Sequence, residues 1–166
     1  MSSLLLMSTM FNSCQKEQKE VTKDLSKESV TSNITSWLDR QGPPSKSNLI
    51  ANIELLKRNL ELNKTRREEY KDADQFIIIP INKEYNREKR INEKNQLNLL
   101  VVATNSGEIK GANIVEFIPE NGKDISGIPE NAFRKIFNKE YPGVDGLFRF
   151  LSVTGRWLNE TTYKNK

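Results

Sequence analysis

The chain has 166 residues, enough for one domain and a short tail, and its composition is 36% hydrophobic and 29% charged. This apolar fraction is low for a chain that folds from end to end, so we expect part of it to lie outside the core. There is no histidine and only one cysteine, Cys14, which excludes Ser-His-Asp and Cys-His catalysis, most zinc sites and an intrachain disulfide. The net charge of +4 comes from 26 basic and 22 acidic residues that are interspersed, a pattern that does not favour nucleic-acid binding.

The N-terminus contains a short apolar run at residues 4–11, followed by Asn12, Ser13 and Cys14. The run is too short to span a bilayer, but it has the length of the apolar part of a secretory signal. It resembles the signal peptides of bacterial lipoproteins, in which a lipobox ends in an obligatory cysteine. The resemblance implies cleavage after Ser13 and acylation of Cys14 with fatty acids such as palmitate. The mature protein would then be held at a membrane by its lipid anchor, as an outer membrane lipoprotein of a bacterial cell envelope.

This leader departs from the lipoprotein pattern in two ways. Phe11 and Asn12 occupy positions where the family prefers Leu and a small residue, and no Lys or Arg precedes the apolar run. A start codon assigned too far downstream would explain the missing basic residues. The alternative is a frayed N-terminus with an incidental cysteine, although exposed apolar residues beside an unprotected thiol are uncommon in soluble proteins.

Residues 14–33 are polar and of mixed charge, which predicts a flexible tether between the anchor and the folded part. The segment at residues 15–17 resembles the short charged signals that direct lipoproteins of some Gram-negative bacteria to the outer surface. Periplasmic orientation and surface exposure both remain open. The sequence therefore predicts three parts: a signal peptide at 1–13, a tether at 14–33 and a single domain at 34–166.

The domain is predicted to be α+β, with one main N-terminal helix packed on an antiparallel sheet of about five strands and a short helical insertion. Ile34, Trp37 and Leu38 form the first apolar cluster, in which we interpret Trp37 as an anchor. The main helix is predicted at 45–63, where apolar residues recur every three or four positions. The charged segment 64–74 is predicted to form a helical turn and a loop.

Apolar runs and turn residues predict the strands. A β-hairpin at 97–118, with its turn at 105–108 and a bulge or close approach at Gly111, is central because the other elements must cover its apolar side. A strand at 76–81 precedes it, with Pro80 at an edge or end. A short helix at 129–137 and strands at 147–153 and 156–163 follow the hairpin.

The long connection at 82–96 is predicted to be solvated, with Tyr85 as a candidate recognition residue. The order of a long helix followed by an antiparallel sheet resembles the cystatin-like layout. The resemblance is in element order alone, and no cystatin inhibitory motif is present, so it implies nothing about activity.

No motif for catalysis, a metal or a cofactor is recognisable in the chain. Glu68 and Glu69 are adjacent and would diverge in a helix, while Asp124 and Asp145 are interpreted as turn residues. Arg156 and Trp157 lie side by side on a predicted hairpin, where they could stack on sugars or pair with carboxylates. The other interpretation is that Trp157 packs on the helix while Arg156 points to water.

Two functional hypotheses follow. The first is a non-catalytic binding or accessory module whose partner is a protein or a glycan, with Tyr85, Arg156 and Trp157 as a possible partner surface. The second is an envelope hydrolase that uses Asp/Glu chemistry. Exposed aromatic residues at a strand edge would favour the first, and two converging carboxylates in a deep pocket would favour the second.

Overall fold

The computed structural model of the protein describes residues 27–41, 52–71, 74–122 and 127–165. The predicted signal peptide, Cys14, most of the tether, the first part of the predicted main helix and Asp124 lie outside these ranges. The described part contains one antiparallel sheet with helices packed on it. The predicted α+β class is confirmed.

The sheet has six strands in the order of the sequence, and each is antiparallel to its neighbour. They are β1 (Arg66–Glu69), β2 (Asp74–Ile81), β3 (Gln96–Thr104), β4 (Ile109–Pro119), β5 (Gly146–Ser152) and β6 (Trp157–Tyr163). The helices are α1 (Lys27–Asp39), α2 (Ile53–Arg58), α3 (Lys83–Lys89) and α4 (Ala132–Phe137), with 3-10 turns at Leu62–Lys64 and Glu120–Gly122. Because the strands are consecutive, β1 and β6 are the two edges of the sheet.

The predicted central hairpin is confirmed as β3 and β4. Gly107 adopts φ 86° in the turn and donates a hydrogen bond from its backbone N–H to the Thr104 carbonyl at 2.9 Å. The predicted irregularity at Gly111 is present: Val102 pairs with Gly111 and Ala103 with Ile109, so one residue of β4 is left over between them. Such a bulge increases the local twist of the sheet.

Both faces of the sheet are apolar, and each is covered by different helices. The first core cluster joins α1, α2 and α3 to one face and includes Leu38, Leu56 and Leu99. The second joins α4 to the opposite face and includes Phe117 and Phe133. The sheet therefore lies between two layers, since alternate residues of each strand point to opposite faces.

The predicted tether extends too far along the chain, because residues 27–33 belong to α1. Val30, Ile34 and Leu38 recur every four residues and are 5%, 1% and 0% exposed. This spacing places them on one side of a helix, which packs on the first core cluster. Trp37 is half-buried against the same cluster, which confirms its interpretation as an anchor.

The predicted main helix and the segment after it also differ from the structure. α2 begins after Asn52, whose side chain accepts a hydrogen bond from the Leu55 N–H, and it ends at Arg58 rather than Asn63. The charged residues 66–69 form the edge strand β1 instead of a turn and loop. Pairing with β2 along four residues decides their conformation, because strand formation depends on cross-strand context more than on local propensity.

Candidate functional site

The N-terminal end of β6 exposes the largest apolar side chains on this edge of the sheet. Trp157 is 58% exposed and Leu158 is 47% exposed. Trp157 pairs with Leu151 and Asn159 with Phe150, so Leu158 is the extra residue of a second bulge. The interpretation that Trp157 packs on the helix is therefore wrong, because most of its indole faces solvent.

Arg156 precedes this pair and is exposed. Its backbone N–H donates to Ser152 Oγ at 2.9 Å, which holds the turn between β5 and β6. Its guanidinium makes no ion pair with any residue of the described ranges. Arg156, Trp157 and Leu158 together form what we call the β6 patch: one cation beside two exposed apolar side chains on an edge strand.

Tyr85, the third predicted partner residue, is not at the surface. It lies on α3 and is 0% exposed within the first core cluster. Burial raises the pKa of its phenol to about 12, partly offset by a hydrogen bond from the Asn52 backbone. The sequence did not predict this because residues 82–96 are mostly charged, yet Asn82 caps α3 and turns Tyr85 inward: its side chain accepts a hydrogen bond from the Glu84 N–H at 3.0 Å.

The two buried carboxylates belong to opposite faces of the sheet. Glu68 is 3% exposed and pairs across the strands with Phe76 of the second core cluster, whereas Glu116 is 3% exposed and pairs with Leu97 of the first. Residues directly opposite each other share a face, so these two carboxylates do not converge. No group of three or more acidic residues with metal-binding geometry occurs in the described ranges.

Each of these carboxylates already has a partner in the fold. Glu68 Oε2 accepts a hydrogen bond from the Arg134 backbone N–H at 3.2 Å, in the first turn of α4. Glu116 accepts from Asn95 Nδ2 at 2.7 Å and from Arg149 Nη1 at 2.9 Å. Asp145 accepts from the Tyr141 hydroxyl at 2.8 Å and from the Asn165 backbone at 2.6 Å, which agrees with a turn-stabilising role.

A groove of about 680 Å³ opens where β1, β2 and β3 meet the segments around residues 61–64 and 127–128. Nothing in the sequence indicated it, because its lining residues come from separate parts of the chain. They carry four cationic side chains and one acidic side chain, those of Lys64, Arg66, Lys83, Lys94 and Glu61.

Within the ranges that the structure describes, no helix is long and apolar enough to cross a membrane. Comparisons of the chain with models of protein families, with curated proteins and with solved structures found no match.

Proposed function

We propose that this protein is a lipid-anchored, non-catalytic binding module of the bacterial cell envelope, and that the β6 patch contacts a protein partner. The observation that carries the proposal is the exposure of Trp157 and Leu158 on an edge strand. Trp and Arg are the side chains most often found to dominate binding energy at protein interfaces. An exposed apolar pair beside an arginine that forms no ion pair within the described part of the chain is typical of such a surface.

The two edges of the sheet differ in a way that supports this proposal. β1 is only four residues long and consists entirely of charged residues, Arg66 to Glu69, which is how proteins commonly protect an edge from adding another strand. β6 is seven residues long, contains no proline and has a single charged residue, Glu160. Its regular pairing runs from Asn159 to Tyr163, beyond the bulge at Leu158.

An extended peptide fits this edge. Its backbone would pair with the outer side of β6 as an added strand, a common mode of peptide recognition. Its side chains would be apolar where they meet Trp157 and Leu158, and acidic near Arg156. The alternative of a hydrolase receives no comparable support, because the buried carboxylates Glu68 and Glu116 lie on opposite faces.

The anchoring part of the proposal is supported by the apolar run and by Cys14. Metabolic labelling with a palmitate analogue in a bacterial host tests it. We expect label on the wild-type chain and none on Cys14→Ser, because the thiol and the new amino group at this residue are the acceptors. An unlabelled wild-type protein would contradict the anchor.

Site-specific photo-cross-linking tests the binding part in the full chain. A photoreactive amino acid at position 158 should give a discrete protein adduct in cells, and the adduct should be lost when Trp157→Ser is added. The same amino acid at position 88, which is exposed on α3, is the matched control and should give none.

Two results would contradict a protein partner at this patch. One is the same adduct from positions 158 and 88, which would indicate random contact. The other is an adduct at position 158 that resists protease and is removed by a glycan-cleaving enzyme, which would assign the patch to a glycan.

A further inference from the structure

The groove beside β1 is separate from the β6 patch, and the side-chain amide of Asn98 is one of its lining groups. Asn98 lies on β3, where it pairs with Pro80 and Val115, and it is 6% exposed. Its side-chain amide makes no hydrogen bond with any residue of the described ranges. It lines the groove. Its polar atoms are open to the groove rather than sealed in the core, so they can form hydrogen bonds with a bound molecule.

The charges around Asn98 specify the sign of that ligand. Four cations and one carboxylate line the groove. The carboxylate, Glu61, is paired with Lys64 at 2.8 Å. Lys83 and Lys94 have no ion-pair partner in the described ranges. The walls of the groove have a low dielectric constant, so they concentrate the positive potential of these side chains inside the groove.

Arg66 gives the groove a fixed donor. Its Nη1 donates to the Ile128 carbonyl at 2.8 Å, which holds the guanidinium against the wall formed by residues 127–128. A guanidinium fixed at one nitrogen still has other N–H groups that can bind oxygen atoms of an anion. Arg66 pairs with Ile78 of β2, and Asn98 pairs with Pro80, two residues further along the same strand. Residues two apart on a strand point to the same face, so Arg66 and Asn98 lie on one face of the sheet.

We propose that this groove binds a small organic anion, a molecule with one phosphate or carboxylate group and an apolar part. The anionic group accepts hydrogen bonds from the Asn98 amide and is neutralised by Lys83, Lys94 and Arg66. The apolar part contacts Pro80, Leu97 and Ile128, which also line the groove. The volume of about 680 Å³ lies within the usual range of ligand sites.

The test is an NMR titration of the ¹⁵N-labelled full chain. The ligands are phenyl phosphate, benzoate, inorganic phosphate and the neutral benzyl alcohol. We expect saturable shifts for phenyl phosphate or benzoate, centred on the side-chain NH₂ of Asn98 and the amide of Lys94. Binding should weaken as salt rises, because the attraction between charges is screened.

Three variants separate this proposal from adventitious binding. Asn98→Asp replaces a donor with a negative charge and should weaken phenyl phosphate binding by about tenfold or more. The double variant Lys83→Gln, Lys94→Gln should weaken it by about threefold or more. Because neither lysine forms an ion pair with a described residue, this variant is expected to fold even if Asn98→Asp does not. Lys139→Gln is the matched control, an exposed lysine outside the groove, and should leave binding unchanged.

Four results would overturn the proposal. They are equal binding of benzyl alcohol and phenyl phosphate, equal binding of inorganic phosphate and phenyl phosphate, no saturable shift up to about 10 mM of either organic anion, and unchanged binding in the double lysine variant. None of these results bears on the β6 patch, so the two proposals fail independently.

Discussion

Asn95 and Glu116 are 21 residues apart in sequence, yet Asn95 Nδ2 donates to Glu116 Oε1 at 2.7 Å in a buried position. The second carboxylate oxygen accepts from Arg149 Nη1 at 2.9 Å. Asn95 is itself held by α3, because Asn86 Nδ2 donates to its backbone carbonyl at 2.9 Å. Glu116 therefore links α3, the centre of the sheet and β5.

We expect Glu116→Gln to lower the free energy of unfolding by about 2 kcal/mol. The NH₂ group of the glutamine would face the guanidinium of Arg149, and two hydrogen-bond donors cannot bond to each other. Glu160→Gln is the control: Glu160 contacts the same arginine at 3.5 Å but its side chain is 46% exposed, so its loss should cost less than about 0.5 kcal/mol. Urea unfolding at pH 7 measures both. Equal losses would contradict the central role of Glu116.

The raised pKa of Tyr85 predicts that the protein loses stability at high pH. Its phenol has a pKa of about 12 when folded and about 10 when unfolded. Between these two pH values the folded state retains a proton that the unfolded state releases. The contribution of Tyr85 to the free energy of unfolding is therefore complete below pH 10 and declines as the pH rises towards 12. The full effect is about 2 to 3 kcal/mol.

Urea unfolding between pH 8 and about pH 11 should show a steeper decline for the wild type than for Tyr85→Phe, which keeps the ring and removes the titrating group. Tyr141 and Tyr163 also have raised pKa values, but they contribute to both proteins and cancel in the difference. Parallel profiles for the two proteins would contradict a buried phenol.

Glu68 is expected to matter as a helix cap rather than as a charge. Glu68→Ala removes the acceptor for the Arg134 N–H and should cost about 1 kcal/mol of unfolding free energy. Glu68→Gln keeps an acceptor and should cost less, since Oε1 of the native carboxylate has no partner in the described ranges. Glu69→Ala, at the exposed neighbouring position, is the control and should be nearly neutral. Chemical denaturation would contradict the assignment if Glu68→Gln proved as costly as Glu68→Ala.

Gly146 is expected to be the least replaceable glycine near the sheet. A Cβ there would lie 2.5 Å from the Ile118 carbonyl oxygen and 2.6 Å from Phe117 Cε2, at a φ of 154°. Gly146→Ala should therefore lower the free energy of unfolding by about 2 kcal/mol or more. Gly111→Ala is the matched control, because nothing lies within 4 Å of its Cβ position, and it should be neutral or slightly stabilising. Thermal unfolding distinguishes them, and similar midpoints would contradict the close approach at Gly146.

Prediction of the fold from sequence succeeded where the signal is local. The hairpin of β3 and β4, its turn at Gly107 and the apolar β2 were predicted from side-chain type and turn chemistry. α1 and β1 were missed for the opposite reason. α1 is a polar stretch with one apolar residue in four, and β1 is a run of four charged residues, so both carry weak local signals. The conformation of α1 follows from its packing on the first core cluster, and that of β1 follows from its pairing with β2.

For the candidate sites, sequence reasoning found Arg156 and Trp157 because they are adjacent in the chain and chemically distinctive. It could not find the groove. Arg66, Lys83 and Asn98 come from β1, α3 and β3, and no spacing in the sequence indicates that the fold of the sheet brings them to one concave surface.

The sequence by itself determined the α+β class, the positions of most strands and the exclusion of histidine-dependent chemistry, because alternation, turn residues and composition are properties of the chain alone. Only the tertiary structure decided which aromatic residue is available to a partner. Tyr85, in a charged segment, is buried in the first core cluster, and Trp157, in a mostly polar strand, is exposed on an open edge. The reason is physical: the exposure of a side chain depends on what packs over it, and those covering residues lie far away in the sequence.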